Sequence, residues 1–152
     1  MRTEQGFKVE PYQFLSNMTP CIVSMYGVIY HSVENAYQAS KCLHAKDRLQ
    51  FVDISPHNSK RLWRRLGNTV EQRPDFHKRK LEFMRVLLQR KFSDTNPILK
   101  QQLIATGDIE LVEVNWWHDT FWGECNGAGE NNLGKLLMQI RTELQQQNGS
   151  FD

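Results

Sequence analysis

The chain is poor in cysteine, in long apolar runs and in net charge, and each shortage removes a class of function. Its three cysteines, Cys21, Cys42 and Cys125, are odd in number and lack Cys-x-x-Cys spacing, which argues against a disulfide framework and a structural zinc site. No stretch approaches the ~18 consecutive apolar residues of a membrane helix, and no charged-then-apolar signal is seen. The expectation is a reduced, cytoplasmic protein with no membrane contact, no metal and no other cofactor. Lysine and arginine number 19 against 17 aspartate and glutamate, a net +2, so affinity for a polyanion has to come from a local cluster and not from overall charge. Linkers and internal repeats are missing as well. That pattern fits one domain over residues 1–144 followed by a polar, flexible tail at 145–152, and a 152-residue chain buries roughly 68–70% of its unfolded surface.

What is present is mostly helical periodicity. Ser32 is placed to cap a first helix that runs toward Lys41, preceded by a short hairpin turning at Tyr26-Gly27. Ser55-Pro56 starts a second helix that Gly67 closes, with Lys60, Arg61, Arg64 and Arg65 turned away from Leu62, Trp63 and Leu66. From about Asp75 to Phe92, the broad arc of Phe76, Leu81, Met84, Leu87, Leu88 and Phe92 predicts a central third helix. Asn96-Pro97 opens a fourth that Gly107 ends. Ile109 to Val114 alternates with period two as one short strand, and the stripe Leu133, Leu136, Leu137, Ile140 and Leu144 marks a last helix. The fold class is therefore mainly α: a compact multihelical domain with a small hairpin or short strands.

The stretch from Ser32 to Lys41 carries the chemistry. At about 100° per residue, Glu34, Gln38 and Lys41 fall on one narrow stripe, opposite Ala36, Ala39, Ser40 and Leu43. Standing alone, that stripe reads as a solvated face with i,i+4 polar pairs. Three other features accompany it. Asp119 to Asn131 is glycine-rich directly before a helix, where free N–H groups can hold an anion, and Trp116, Trp117 and Trp122 gather around Asp119. Lys80 winds to the middle of the arc of Phe76, Met84 and Leu87, where it either snorkels outward or is held in a pocket. Ser16-Asn17 follows Phe14-Leu15 with more hydrogen-bonding capacity than a turn needs.

Together these stretches resemble the YbiA/RibX-like N-glycosidase family, also called the NADAR domain family, over nearly the whole chain. The matching pieces are Ser16-Asn17, the run Glu34 to Lys41 as Glu-x-x-x-Gln-x-x-Lys, Ala105-Thr106-Gly107-Asp108, Asp119-Thr120-Phe121-Trp122-Gly123, and Asn131 through Met138. Two positions depart. Asn35 stands where the family usually has histidine, and Phe76 where it often has tryptophan.

The resemblance implies a multihelical fold and hydrolysis of an N-glycosidic bond. The substrate is then a ribosyl phosphate on a pyrimidine amine of the riboflavin pathway, or an ADP-ribosyl group on guanine in nucleic acid. Breaking a ribosyl C1–N bond builds positive charge on the sugar and negative charge on the departing nitrogen, which calls for a carboxylate, a proton donor and phosphate anchors. Glu34 is the candidate carboxylate, with Asp119 as its partner in the same cleft. Lys41 or Lys80 could give the proton, or attack an opened ribose as an amine. Asn17, Gln38 and Asn131, with Ser16, would hold hydroxyls. Trp122 would stack on the base, Gly127 to Asn131, with Gly129, would cradle phosphate, and Gly123 would contact the substrate. The basic helix face of Lys60, Arg61, Arg64 and Arg65 offers a nucleic-acid contact if it lies beside the pocket. The rival from another class is a module that binds ADP-ribose or a nucleotide without turnover.

Overall fold

Small polar residues and prolines start the helices where the sequence places them. The structure, a computed structural model, describes residues 1–149. Among them are six α-helices and four short strands: β1 (Val23–Met25), β2 (Val28–Tyr30), α1 (Val33–Ala39), α2 (Ala45–Arg48), α3 (Pro56–Leu66), α4 (Phe76–Lys91), α5 (Pro97–Ala105), β3 (Val114–Asn115), β4 (Glu124–Cys125) and α6 (Asn132–Gly149). The mainly helical fold expected from the sequence is present. No helix among the described residues is long and apolar enough to cross a membrane.

The described chain divides into two compact units, one of residues 17–96 and one of residues 1–16 with 97 onward. In the first, β1 and β2 pair antiparallel with Met25 opposite Val28. Tyr26 (φ 52°) and Gly27 (φ 75°) form the two-residue turn between them, the conformation that keeps a hairpin's right-handed twist. Ser32 caps α1, its hydroxyl accepting from Asn35 N at 3.0 Å, and Ser55 caps α3 in the same way, with Pro56 at the first turn. Gly67 follows α3 with φ near −53°, so it ends the helix without the left-handed conformation that favours glycine there. Helix α1 packs against α3, α4 and β1, and all seven of its residues are buried. On α4, Phe76, Phe83, Met84, Leu87 and Leu88 are buried. Leu81, expected in the same arc, is 42% exposed; Phe83 takes the core position, because the buried arc is centred one residue round the helix.

In the second unit α5 packs on α6, and Leu103, Leu111, Leu133, Leu137 and Ile140 form its core. The expected strand over Ile109–Val114 shrinks to a two-residue parallel pairing of β3 with β4 and a single bridge from Arg2 to Glu110. Its alternation instead serves a partly extended segment stitched by side chains: Thr3 Oγ1 donates to Val112 O and accepts from Val112 N. Helix α6 continues past residue 144 to Gly149, so the first five residues of the expected flexible tail are helical; residues 150–152 lie outside the described residues. All three cysteines are free and buried.

Candidate active site

The stripe Glu34, Gln38, Lys41 is not a solvated face. Glu34 is 7% and Gln38 5% exposed, because α1 is enclosed on all sides and its polar residues are carried inward with it. Gln38 Nε2 donates to Glu34 Oε1 at 2.7 Å, fixing the carboxylate one turn away. Glu34 N donates to Asn17 O at 3.0 Å, which ties the Asn17 backbone to the start of the helix. Two acceptors remain without donors: Gln38 Oε1 and Asn17 Oδ1 are buried with no hydrogen-bond partner. Asn17 Nδ2 reaches only the Met84 sulfur, at 3.6 Å. Buried polar atoms are nearly always paired, so such exceptions call for an explanation.

Just past the end of α1 a cleft of about 270 Å³ opens, lined by Tyr37, Lys41, Trp63, Gln72, Phe76, His77 and Lys80. Lys41 and Lys80 therefore meet in one pocket, as one of the two sequence readings of Lys80 required. The Lys41 ammonium lies 5.4 Å from the Tyr37 ring centroid, 5.3 Å from Trp63 and 5.7 Å from Phe76, a three-sided aromatic cage. Burial lowers its pKa to about 8; the Glu34 charge opposes this, and the Lys60 and Lys80 charges add to it. Beneath it, burial pushes the Cys42 thiol up to about 11, which leaves that thiol protonated and unreactive at neutral pH. Phe76 stands edge-on to Tyr37 and stacks on Phe83, so the smaller ring at this position still forms a continuous wall. Asn35 is engaged away from the cleft: its amide donates to Phe51 O and Ile54 O, both at 2.8 Å, and accepts from Ser32 Oγ at 2.6 Å. It is a brace.

Tyr37, Trp63, Gln72 and His77 were not singled out as site residues by sequence reasoning. Trp63 was assigned to the packed side of α3, yet it is only half-buried and faces the cleft. Its neighbour Lys60 is also half-buried, while Arg61, Arg64 and Arg65 are exposed. The signal available was the coincidence of Trp63 and Lys60 one turn apart on a basic helix.

The glycine-rich segment belongs to the second unit and has a different character. Asp119 Oδ1 accepts from Phe121 N at 3.2 Å and Trp122 N at 2.9 Å. Asn131 Oδ1 accepts from Glu113 N, and its Nδ2 donates to Leu111 O, both at 3.0 Å. The N–H groups of Glu130, Asn131, Asn132 and Leu133 donate to Thr120 O, Gly123 O, Phe121 O and Trp122 O. The N–H groups of residues 130–133 are thus taken by the loop's own carbonyls, which leaves the expected phosphate cradle at Gly127 to Asn131 with fewer donors. Glycine is needed there for close approach. A Cβ on Gly123 would stand 2.0 Å from Glu113 O, and one on Gly129, whose φ is +149°, 2.2 Å from Gly123 O. Gly127 (φ +79°) has open space and supplies only the turn. Trp122 sets its ring edge-on to Phe121. Trp116 and Trp117 are 69% and 39% exposed and share the Lys8 ammonium. Ser16 closes the 3₁₀ turn Gln13–Leu15 through its N–H. Thr106, in the Ala-Thr-Gly-Asp run, accepts from the buried Arg141 at 3.0 Å.

A family model described as the NADAR domain matches residues 4–145. Among curated proteins, the chain is 36% identical over 147 residues to a riboflavin biosynthesis protein of Vibrio vulnificus, covering 90% of this chain and 37% of that protein; it thus spans little more than a third of that relative's length. It is 35% identical to an N-glycosidase of Nostoc punctiforme, covering 89% of this chain and 87% of that one. It is 31% identical to N-glycosidase YbiA of Shigella boydii, covering 89% and 83%. The NMR structure of E. coli YbiA superposes with a TM-score of 0.80 at 28% identity, covering 97% of this chain and 90% of that one.

Proposed function

Because the chain belongs to the NADAR domain family, we propose that it is an N-glycosidase that hydrolyses the C1–N bond between a ribosyl phosphate and a nitrogen base or amine. The observation that carries this reading is Lys41: an amine with a pKa near 8 in an aromatic-walled cleft, just past the end of the helix that holds the buried Glu34 carboxylate. The relatives named N-glycosidase support the reaction class.

In the reaction, the C1–N electron pair leaves with the base and the Lys41 ammonium gives its proton to that nitrogen. At pH 7 a pKa of about 8 leaves roughly nine-tenths of the amine protonated. Glu34 steadies the positive charge building on the ring and takes a proton from the water that adds to C1. Asn17 Oδ1 and Gln38 Oε1, buried acceptors without donors, take the ribose hydroxyls. Tyr37, Trp63 and Phe76 stack on the base, and Lys80 meets phosphate. A second role for Lys41 is favoured by the same lowered pKa: the neutral fraction attacks C1 of a ring-opened ribose, expels the base and leaves an imine that water hydrolyses. Reduction with cyanoborohydride during turnover separates the two, since only the imine route leaves a sugar adduct on Lys41.

The distribution of charge favours a nucleic-acid substrate as the larger alternative to a small molecule. Residues 17–96 hold 14 lysines and arginines against 7 acidic residues, a net +7, while the rest of the chain is −5. The exposed Arg61, Arg64 and Arg65 lie on the helix that supplies Trp63 to the cleft. An assay with a phosphoribosylamino-pyrimidine and with ADP-ribosyl-guanine DNA, scored for free ribosyl phosphate or ADP-ribose, tests the proposal. Release from either supports hydrolysis and assigns the substrate. Tight binding of both without release would replace it by a binding module.

A further inference from the structure

A second cluster of cations lies outside the cleft lining, at the tip of the β1–β2 hairpin. The guanidinium carbons of Arg48 and Arg73 stand 4.5 and 4.9 Å from the centroid of one ring, Tyr26. Two like charges on one ring repel, and the cost is ordinarily removed by carboxylates. Here it is not. Arg73 has one carboxylate oxygen, of Asp75, at the long distance of 3.8 Å. Arg48 Nη1 donates to two main-chain carbonyls, Cys42 O and Leu43 O, which hold the guanidinium in place without cancelling its charge. The Nε–H of each arginine is buried without an acceptor, so neither planar fork is fully used. Tyr26 itself is 43% exposed, and its main chain is fixed in the left-handed region by the tight turn, which presents the ring outward.

From this arrangement we infer that Tyr26, Arg48 and Arg73 form a phosphoryl-binding site, distinct from the residues that line the cleft. Guanidiniums match tetrahedral phosphate oxygens through bidentate, charge-assisted hydrogen bonds, and the main-chain anchoring of Arg48 preorganises its fork, so little side-chain entropy is lost on binding. The site is coupled to the cleft by a backbone hydrogen bond and by packing: Arg73 N donates to Lys41 O at 2.8 Å, and the Arg73 guanidinium also lies 5.3 Å from Phe83, the ring stacked on Phe76. Resting on the proposed reaction, the phosphoryl group is either a second phosphate of the substrate, beyond the one that meets Lys80, or free phosphate.

The test is a titration of the full chain with inorganic phosphate and with pyrophosphate, followed by the NMR signals of the arginine and lysine side chains. Saturable shifts at Arg48 and Arg73 are expected, weakened by salt and reduced about tenfold or more in affinity by Arg73→Gln. Because Arg48→Gln removes two main-chain bonds, Tyr26→Leu serves as the second variant; it leaves those bonds intact and is expected to weaken binding by a smaller factor. Shifts confined to Lys41 and Lys80, or none, would overturn the site and leave the cluster as a packing brace. Steady-state kinetics identify the source: a KM raised by Arg73→Gln for phosphorylated substrate alone assigns the substrate's own phosphate, whereas phosphate inhibition relieved by Arg73→Gln assigns a free anion. The NMR readout needs no turnover, so its failure is separable from failure of the glycosidase reading.

Discussion

In residues 17–96, Asn17 Oδ1 and Gln38 Oε1 are buried without partners, Lys41 is held by three rings, and charge of one sign accumulates. In the loop from Asn115 to Asn132, the corresponding kinds of residue are engaged: Asn115 bonds both the N–H and the carbonyl of Asp119, Asp119 caps the next turn, and Asn131 uses both ends of its amide. Both regions match family motifs, yet Asn17 Oδ1 and Gln38 Oε1, motif atoms buried without a partner, lie in the first. A motif residue whose polar atoms are satisfied by its own chain maintains a shape; one left unsatisfied after burial is available for chemistry.

The largest expected effect lies in the first region. Glu34→Gln keeps an acceptor for Gln38 Nε2 and the same volume, so the melting temperature should hold while turnover falls about 10²–10³-fold; steady-state kinetics beside a thermal melt check both, and an unimpaired rate removes Glu34 from the mechanism. In the second region the sign of the experiment reverses. Asn131→Leu strands Glu113 N and Leu111 O and should destabilise the fold by about 1–3 kcal/mol, read by denaturant unfolding, with the activity of the folded fraction retained. A large loss of kcat at full stability would return Asn131 to the substrate.

The comparison was half legible in the sequence. The caps at Ser32 and Ser55, the Tyr26-Gly27 turn and the α6 stripe are local signals, and local physics decides them. The polar stripe of α1 was also visible, but its burial was not: amphipathic phase says which residues share a side, and only tertiary packing says that α3 and α4 cover both sides. For the same reason Trp63 read as core, and the close-packing role of the loop glycines was not visible. The contacts of Gly123 with Glu113 O and of Gly129 with Gly123 O bring together segments that spacing alone does not relate.

Smaller effects sharpen the distinction. As a proton donor Lys41 is active when charged, so kcat should fall as pH rises through about 8. Lys60 lowers the Lys41 pKa by its charge; Lys60→Met therefore moves the falling limb to higher pH, and a pH–rate profile showing no upward shift contradicts the coupling. Smallest of all, Asp119→Asn preserves the Oδ1 acceptor for Phe121 N and Trp122 N, so stability should change by less than about 0.5 kcal/mol and activity should be nearly unaltered. A hundredfold loss there, about 2.7 kcal/mol of barrier, would restore Asp119 as a catalytic carboxylate.

The central claim, that the aromatic cleft holding Lys41 carries the reaction, is tested most directly by Lys41→Met, which keeps an unbranched apolar chain between Tyr37, Trp63 and Phe76. Release of free base from a phosphoribosylamino-pyrimidine at pH 7, compared with the unmodified chain at matched folded concentration, should drop about 10²–10⁴-fold. A folded Lys41→Met protein that turns over at the original rate would contradict the account.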